Sequence, residues 1–596
     1  MGSAKRCGSK PGDRSNRPRV IVPDSPPIAT AVINAAKRFY LLTIRARFGL
    51  PAPLSPYDTA THVLRVFSIM RRLPATLIVA TLLISGCATS VRTPFEPSAA
   101  EFARAASVSG ALAAAEAAVA KRSDAENEVP ETQQSAQAIS GFTLLDAGEE
   151  ALRWRLALID SATQTIDTQY YLYHPDSTGM LLTSRLLEAA DRGVRVRLII
   201  DDMATLSFGA REERIKETMG ALLTAHPNIQ LRLFNSAANR KSVGWGWDFA
   251  TNFSQLNHRM HNKSLIVDNR AVVLGGRNIG DEYMGLSDHF NFRDIDVLGV
   301  GPIARQSSEV FDIFWNSGWV FPLHPDMQSS AELLLKEQRA ELQRNLRSSE
   351  KLERFSLTAQ NWERQLQALV PSLHLGTSEV LTDEPTADGI GHDLFDWLME
   401  TLPNAQKELL VTNAYLIPEE RGIALLTELD AKGVDVLIHT NSLASQDVPA
   451  VNSHYKAWRA PLLEAGADLY ELRADAQIKA TVVDTPPVAA KFIGLHAKSM
   501  VIDRRYAVIG SANFDPRSAF INSEMVAVID STTLASELAA MIERDANPAN
   551  SWRVNMDESG GLYWQNGDET VTRQPSLNAW QRLQDLFFML FPKNLY

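Results

Sequence analysis

A single motif written twice restricts this chain more than any other feature of its 596 residues. The first copy runs His261-Asn262-Lys263-Ser264-Leu265-Ile266-Val267-Asp268 and continues to Gly275-Gly276-Arg277-Asn278. The second runs His496-Ala497-Lys498-Ser499-Met500-Val501-Ile502-Asp503 and continues to Gly510-Ser511-Ala512-Asn513. In both, the Asn lies 17 positions after the His. The flanks repeat as well. Thr165–Tyr173 has strand character, Gly179–Asp191 has helical spacing, Gly193 stops that helix, and Val194–Ile200 alternates like a strand. Leu409–Ile417, Ile423–Ala431, Gly433 and Val434–His439 restate the series. Two copies mean two similar α/β halves rather than a solenoid. The expected fold is α/β, two pseudo-twofold-related halves, each a mixed β-sheet flanked by helices, with the active site at their interface.

The residue types point to phosphoryl chemistry. LIVD and SMVID read as strands, where side chains i and i+2 share a face, so His261 pairs with Lys263 and His496 with Lys498. Asp268 and Asp503 fall on the opposite parity near a strand end, which suits them to holding the motif rather than touching substrate. The glycines permit a tight turn, after which the amides of Asn278 and Asn513 can return to the same phosphate. Two lysines and two amides can stabilise a pentavalent phosphorus, the work that metal ions do elsewhere. No acidic metal-ligand cluster accompanies the motifs, so no metal and no other cofactor is expected. One neutral imidazole would attack phosphorus and the other would serve the departing and arriving alcohols as acid and base. Sequence symmetry alone does not order the two.

The paired H-x-K-x-x-x-x-D tracts closely resemble the phospholipase D superfamily. Arg259–Ser264, Val273–Asp281 and Asn513-Phe514-Asp515-Pro516-Arg517-Ser518 look like the C-type bacterial cardiolipin synthases, over roughly residues 140–596. The resemblance implies two phospholipase D-like halves sharing one site, with His261 as nucleophile and His496 as acid/base. It further implies transfer of a phosphatidyl group onto phosphatidylglycerol, with phosphatidylglycerol or phosphatidylethanolamine as donor, or else hydrolysis of phospholipids by the same residues. Glu524 stands where relatives carry the carboxylate that orients a histidine, and Asp294 is its first-half counterpart, with Asp296 competing.

A formal net charge of −11 argues against a nucleic-acid binder, and two cysteines, Cys7 and Cys87, exclude a disulfide framework. Met70-Arg71-Arg72, the apolar run Leu73–Ile84 and Ser85-Gly86-Cys87 form a lipoprotein-like signal, with Cys87 the residue to be lipidated. The expected divisions are 1–69 an upstream extension, disordered or not translated; 70–87 the signal; 88–138 a linker; 139–324 the first half; 325–370 a helical insertion; 371–545 the second half; and 546–596 a C-terminal segment. The expected location is the bacterial envelope, facing the periplasm, with the membrane surface as partner and no oligomer required. Trp245, Trp247, Phe249 and Phe253, and Phe587, Phe588 and Phe591, are candidates for contact with lipid, although aromatic clusters more often pack inside domains. His174, His289, His439 and His454 read as loop or surface histidines. Arg277, Arg293 and Arg517 are either phosphate contacts or internal charge partners.

Overall fold

The computed structural model describes residues 99–126, 138–205, 210–236, 256–323, 332–387 and 389–589. The first half contributes β1 (Ser140–Leu145), β2 (Thr165–Tyr170), β3 (Arg195–Asp201), β4 (Ile229–Phe234), β5 (Ser264–Val267), β6 (Ala271–Gly275), β7 (Phe290–Arg293), β8 (Asp296–Val300) and β9 (Val320–Pro322). The second contributes β10 (His374–Thr382), β11 (Glu408–Asn413), β12 (Asp435–Asn441), β13 (Asp468–Leu472), β14 (Phe492–Leu495), β15 (Lys498–Ile502), β16 (Tyr506–Gly510), β17 (Met525–Asp530), β18 (Ser551–Met556), β19 (Leu562–Asn566) and β20 (Glu569–Val571).

Strand pairing carries the internal symmetry. In the first half the order is β1-β8-β6-β5-β2-β3-β4-β9, with β2, β3 and β4 parallel and the remainder antiparallel. The second half repeats it as β10-β17-β16-β15-β11-β12-β13-β18. β1 and β10 pair antiparallel, Gly141 opposite Leu375, which joins the two sheets at the pseudo-twofold position. A second seam is the parallel pair β7–β14, with Leu495 opposite Arg293. The expected two-half α/β fold is therefore present.

Local chemistry explains the repeated unit. The parallel strands are covered on both faces and carry apolar runs such as Leu198-Ile199-Ile200, and their buried polar side chains are paired, as Asp167 with Arg197. Helix Ser177–Asp191 begins at Asp176, whose carboxylate accepts the Gly179 N–H at 3.0 Å. It stops at Gly193, and helix Glu419–Ala431 stops at Gly433; both glycines take positive φ, +91° and +75°, that a side chain would strain.

One apolar core spans both halves. Phe142, Leu274 and Phe314 of the first half pack in the same cluster as Leu495, Val501, Ala527 and Leu538 of the second. Separating the halves would expose this surface, so their relative placement is fixed by burial.

The linker expected over 88–138 requires correction. Ala111–Glu126 is a helix, and Leu112, Ala115 and Val119 are buried in the first-half core. Its apolar stripe is three small or medium side chains wide, too weak a pattern to stand out in the sequence, yet Val119 closes on Gly141 beside Leu373. The region expected as a helical insertion contains helices Glu332–Arg347 and Glu363–Leu369. Among the described residues no helix is long and apolar enough to cross a membrane. Cys87, the signal-like stretch, Trp245, Trp247, Phe249, Phe253 and Phe591 lie outside the described residues.

Candidate active site

The aspartates that end each motif are built into the scaffold. Asp268 follows β5 with φ +53°, and its carboxylate accepts Thr163 N (2.9 Å), Thr163 Oγ1 (2.6 Å), Gln164 N (2.7 Å) and Thr165 N (3.0 Å). Asp503 follows β15 with φ +54° and accepts Gln406 N (3.0 Å), Lys407 N (2.7 Å) and Glu408 N (3.2 Å). Each carboxylate thus ties the motif strand to the start of the neighbouring central strand, β2 or β11.

The histidines sit just before β5 and β15, and their partners cross between the halves. His261 Nδ1 meets the Glu524 carboxylate at 2.8 Å, and His496 Nδ1 meets Asp294 Oδ2 at 2.7 Å. The backbone repeats the exchange. His261 N donates to Ser523 O at 2.9 Å, one residue before Glu524, and His496 N donates to Arg293 O at 2.8 Å, one residue before Asp294. Asp296, the rival acid, instead pairs with Arg155 at 2.9 Å and with Arg277 at 3.4 Å. Each lysine ammonium donates to the carbonyl of its own histidine at 2.5 Å, Lys263 to His261 and Lys498 to His496.

Asn278 and Asn513 close the set. Asn278 Oδ1 accepts Leu172 N at 3.1 Å. Asn513 Oδ1 is buried and has no hydrogen-bond partner among the described residues, so the amide is available to a ligand. Arg277 and Arg293 are engaged by partners inside the fold. Arg277 donates to Leu145 O and Asp146 O, while Arg293 is clamped by Asp146 and Asp545, both at 2.6 Å. Arg517 donates to Asn257 Oδ1 and O.

Burial and like charge tune the groups. His261 is held well below the usual imidazole range by burial, then by Lys263 and Lys498. His496 is lowered to about 4 by burial and Lys498, against the pull of Asp294. Burial brings Lys263 down to about 7 and Lys498 down to about 8. The crossed contacts His261–Glu524 and His496–Asp294 bring the two His-Lys sets to the same seam. The two carboxylates differ. Burial pushes Glu524 up to about 7, and it accepts the hydroxyls of Ser511 (2.5 Å) and Ser518 (2.6 Å). Asp294 is also buried, but His496, Lys498 and Arg277 outweigh that and hold it far below the ordinary carboxylate range. Gly276 stands where the other half has Ser511, and a Cβ there would lie 2.2 Å from Asp294 Oδ1.

Sequence reading missed the aromatic walls. The Tyr171 ring stands edge-on to His261 at 5.1 Å with Lys263 Nζ at 5.6 Å from its centre. Tyr415 repeats this with His496 at 6.5 Å and Lys498 at 5.7 Å. Tyr283 and Phe292 also flank His496, at 5.2 and 4.9 Å. The signal existed in the repeat: Thr168-x-x-Tyr171-Leu172 matches Thr412-x-x-Tyr415-Leu416. Two of the histidines expected at the surface are buried. His439 lies inside β12 between Thr412 Oγ1 and Ser551 Oγ, and His454 is enclosed in helix Pro449–Tyr455. Phe588 is buried too, so it is not a lipid contact. Among the described residues no group of three or more His, Cys, Asp or Glu side chains is placed to hold a metal ion.

A duplicated α/β half with paired His-Lys sets at the seam defines a phospholipase D-like enzyme scaffold. The family described as cardiolipin synthase, PLD-like domain, matches residues 156–315 and 398–546, and the chain belongs to that family. Cardiolipin synthase C of Escherichia coli is 33% identical over 463 residues, 76% of this chain and 95% of that protein. Cardiolipin synthase A of Pseudomonas syringae is 26% identical, over 70% of each chain. Among solved structures, phosphatidylserine synthase of Haemophilus influenzae superposes with a TM-score of 0.49 at 13% identity, covering 76% of this chain and 95% of that one.

Proposed function

We propose that the chain is a phosphatidyltransferase that makes cardiolipin by exchanging one phosphodiester for another. The observation that carries the reading is the crossed pair of histidine–carboxylate contacts, His261–Glu524 and His496–Asp294, around Lys263 and Lys498. It agrees with the 33% identity to an enzyme named cardiolipin synthase C.

In the first step a neutral His261 Nε2 attacks the phosphorus of a donor phospholipid. The bond from phosphorus to the head-group oxygen breaks, and protonated His496 gives that oxygen its proton, releasing glycerol from phosphatidylglycerol or ethanolamine from phosphatidylethanolamine. In the second step neutral His496 takes the proton of a phosphatidylglycerol hydroxyl, whose oxygen attacks phosphorus and breaks the P–N bond. The lysines and the amides of Asn278 and Asn513 hold the phosphoryl oxygens. In the empty site both imidazoles are biased to the neutral form, and the substrate's negative charge offsets the lysines and lets His496 take up a proton.

The two carboxylates favour this order of roles. Asp294, fully ionised, supports an imidazolium at His496. Glu524, loaded with two serine hydroxyls and pushed up to about 7, supports one less at His261, as a nucleophile requires. Membrane attachment through a lipidated Cys87 on the periplasmic side fits the signal-like stretch before it and a lipid substrate.

The test is product analysis on vesicles of phosphatidylglycerol and phosphatidylethanolamine. Wild type is expected to form cardiolipin, and His261→Ala and His496→Ala are each expected to lower turnover by at least about 10⁴-fold while folding normally. Phosphatidate without cardiolipin would instead establish the chain as a hydrolase, and turnover retained in either variant would refute the shared site.

A further inference from the structure

Arg185 is a buried charge that the internal repeat does not call for. Eight positions before the glycine that stops each helix, the first half carries Arg185 and the second carries Leu425. Leu425 packs in the apolar core of its half, whereas Arg185 is a fully buried guanidinium. Such a group is costly to bury unless its charge and its N–H groups are met. They are met in part. Nη2 donates to Ser356 O at 2.7 Å, and Nη1 stands 3.4 Å from Asp160 and 3.6 Å from Glu188. Neither Nη1 nor Nε has a hydrogen-bond acceptor among the described residues.

Arg185 borders a cavity of about 260 Å³ between helix Gly148–Ser161, helix Ser177–Asp191 and segment 354–365. Arg153 and Arg354 join it in the lining, and Trp154, Phe355 and Trp362 supply aromatic walls. Among the described residues no carboxylate lines the cavity. The neighbouring acids are occupied elsewhere. Glu149 is shared by Arg153, at 2.5 Å, and Arg354, at 3.0 Å. Asp160 accepts Trp362 Nε1 at 2.9 Å and Gln360 N at 3.0 Å, and Glu188 accepts Ala359 N at 3.0 Å. Holding segment 354–365 in place accounts for these acids and for Nη2 of Arg185. It does not account for three guanidinium groups around an open volume that no acid enters.

We propose that this cavity, apart from the His-Lys sets, binds a phosphate monoester. The three guanidinium groups take the phosphate, and the aromatic walls take the small organic group it carries. A monoester presents three free oxygens, one for each arginine, where a carboxylate presents two. The volume falls just short of the about 300 Å³ at which pockets for whole drug-sized molecules begin, so it suits a head group and not an acyl chain. Two sources offer that chemistry, a soluble phosphate ester and the head of phosphatidate in a membrane.

Phenylglyoxal modification of the full chain, followed at each arginine by mass spectrometry, tests the site. The side chains of Arg153 and Arg354 are 47% and 45% exposed and open to the reagent. Arg505 and Arg553, 56% and 52% exposed and also paired with carboxylates, are the controls. With glycerol 3-phosphate at about ten times its dissociation constant, modification of Arg153 and Arg354 should slow about tenfold and the controls should not change. Arg185→Leu, which installs the residue of the other half, removes one charged donor and should raise the half-protecting concentration about tenfold. Phosphatidylcholine vesicles with and without phosphatidate separate the sources. Protection that requires phosphatidate in the vesicle identifies a lipid head as a ligand, and protection by glycerol 3-phosphate alone identifies a soluble ester. Unchanged modification of Arg153 and Arg354 with both probes overturns the site, as does equal slowing at Arg505 and Arg553. Wild-type protection in a folded Arg185→Leu overturns it too. If that variant does not fold, the pattern of protection in the wild-type chain decides alone.

Discussion

Asp268→Asn separates scaffolding from chemistry inside the motif. The residue sits at φ +53°, a conformation that asparagine adopts as readily as aspartate, so the substitution changes the carboxylate and little else. In the new side chain the amide oxygen can still accept Gln164 N and Thr165 N, now 2.7 and 3.0 Å from Oδ1. The amide nitrogen replaces Oδ2, which faces Thr163 N at 2.9 Å and Thr163 Oγ1 at 2.6 Å. Two charge-assisted bonds become neutral and one N–H loses its better acceptor. At about 1 kcal/mol for each, the loss is about 3 kcal/mol. Asp503→Asn, at φ +54°, meets donors on exposed chain, where water can substitute, and about 1 kcal/mol is expected. Urea unfolding followed by tryptophan fluorescence measures both losses, and lipid turnover is read under conditions where both proteins are folded. Turnover should stay within a few-fold of wild type. An Asp268→Asn protein that unfolds like wild type but is as inactive as His261→Ala would refute the scaffold role.

On the proposed mechanism, the lysines should set the alkaline limit of activity. Lys263 and Lys498, lowered to about 7 and about 8, are charged below those values and lose their charge as pH rises through them, so kcat/KM should fall across pH 7 to 8. A rate profile flat to pH 9 would contradict this. Arg293→Met should destabilise the chain by about 2 kcal/mol, since it removes one of the two cations that hold Asp146 and Asp545 and leaves Arg544, at 2.7 and 2.8 Å, as their remaining partner. Adding Asp545→Asn should recover part of that loss in urea unfolding, and a purely additive double variant would show the two residues are not coupled.

The fold was legible wherever the repeat was. Strands, helices and the stopping glycines Gly193 and Gly433 recur in register, so one half confirms the other. The acids were visible as residue types, but their assignment was not. Glu524 is 263 positions from His261 and Asp294 is 202 from His496, and only the pairing of β7 with β14, and of Met260 with Ser523, brings them together. Asp294 and Asp296 look equivalent in sequence. The turn before β8 aims the first at His496, while the second starts the strand beside Arg155. His439 read as a surface residue because its neighbours Thr440 and Asn441 are polar, yet all three lie in a parallel strand covered on both faces. The helix Ala111–Glu126 escaped because its buried apolar face is only Leu112, Ala115 and Val119, set among alanines that lie on every side of it.

The crossing of carboxylates also constrains how the two copies can drift. On the proposed mechanism, a change at Glu524 acts on the imidazole of the opposite copy, so neither inherited unit can decay privately. The extra residues that lengthen the first copy, placing Asp294 33 positions after His261 against 28 from His496 to Glu524, had to be absorbed without moving either acid from its foreign partner. A lone copy would hold an imidazole with no acid of its own to steady it, and a working ancestor with one motif would have had to meet a twin.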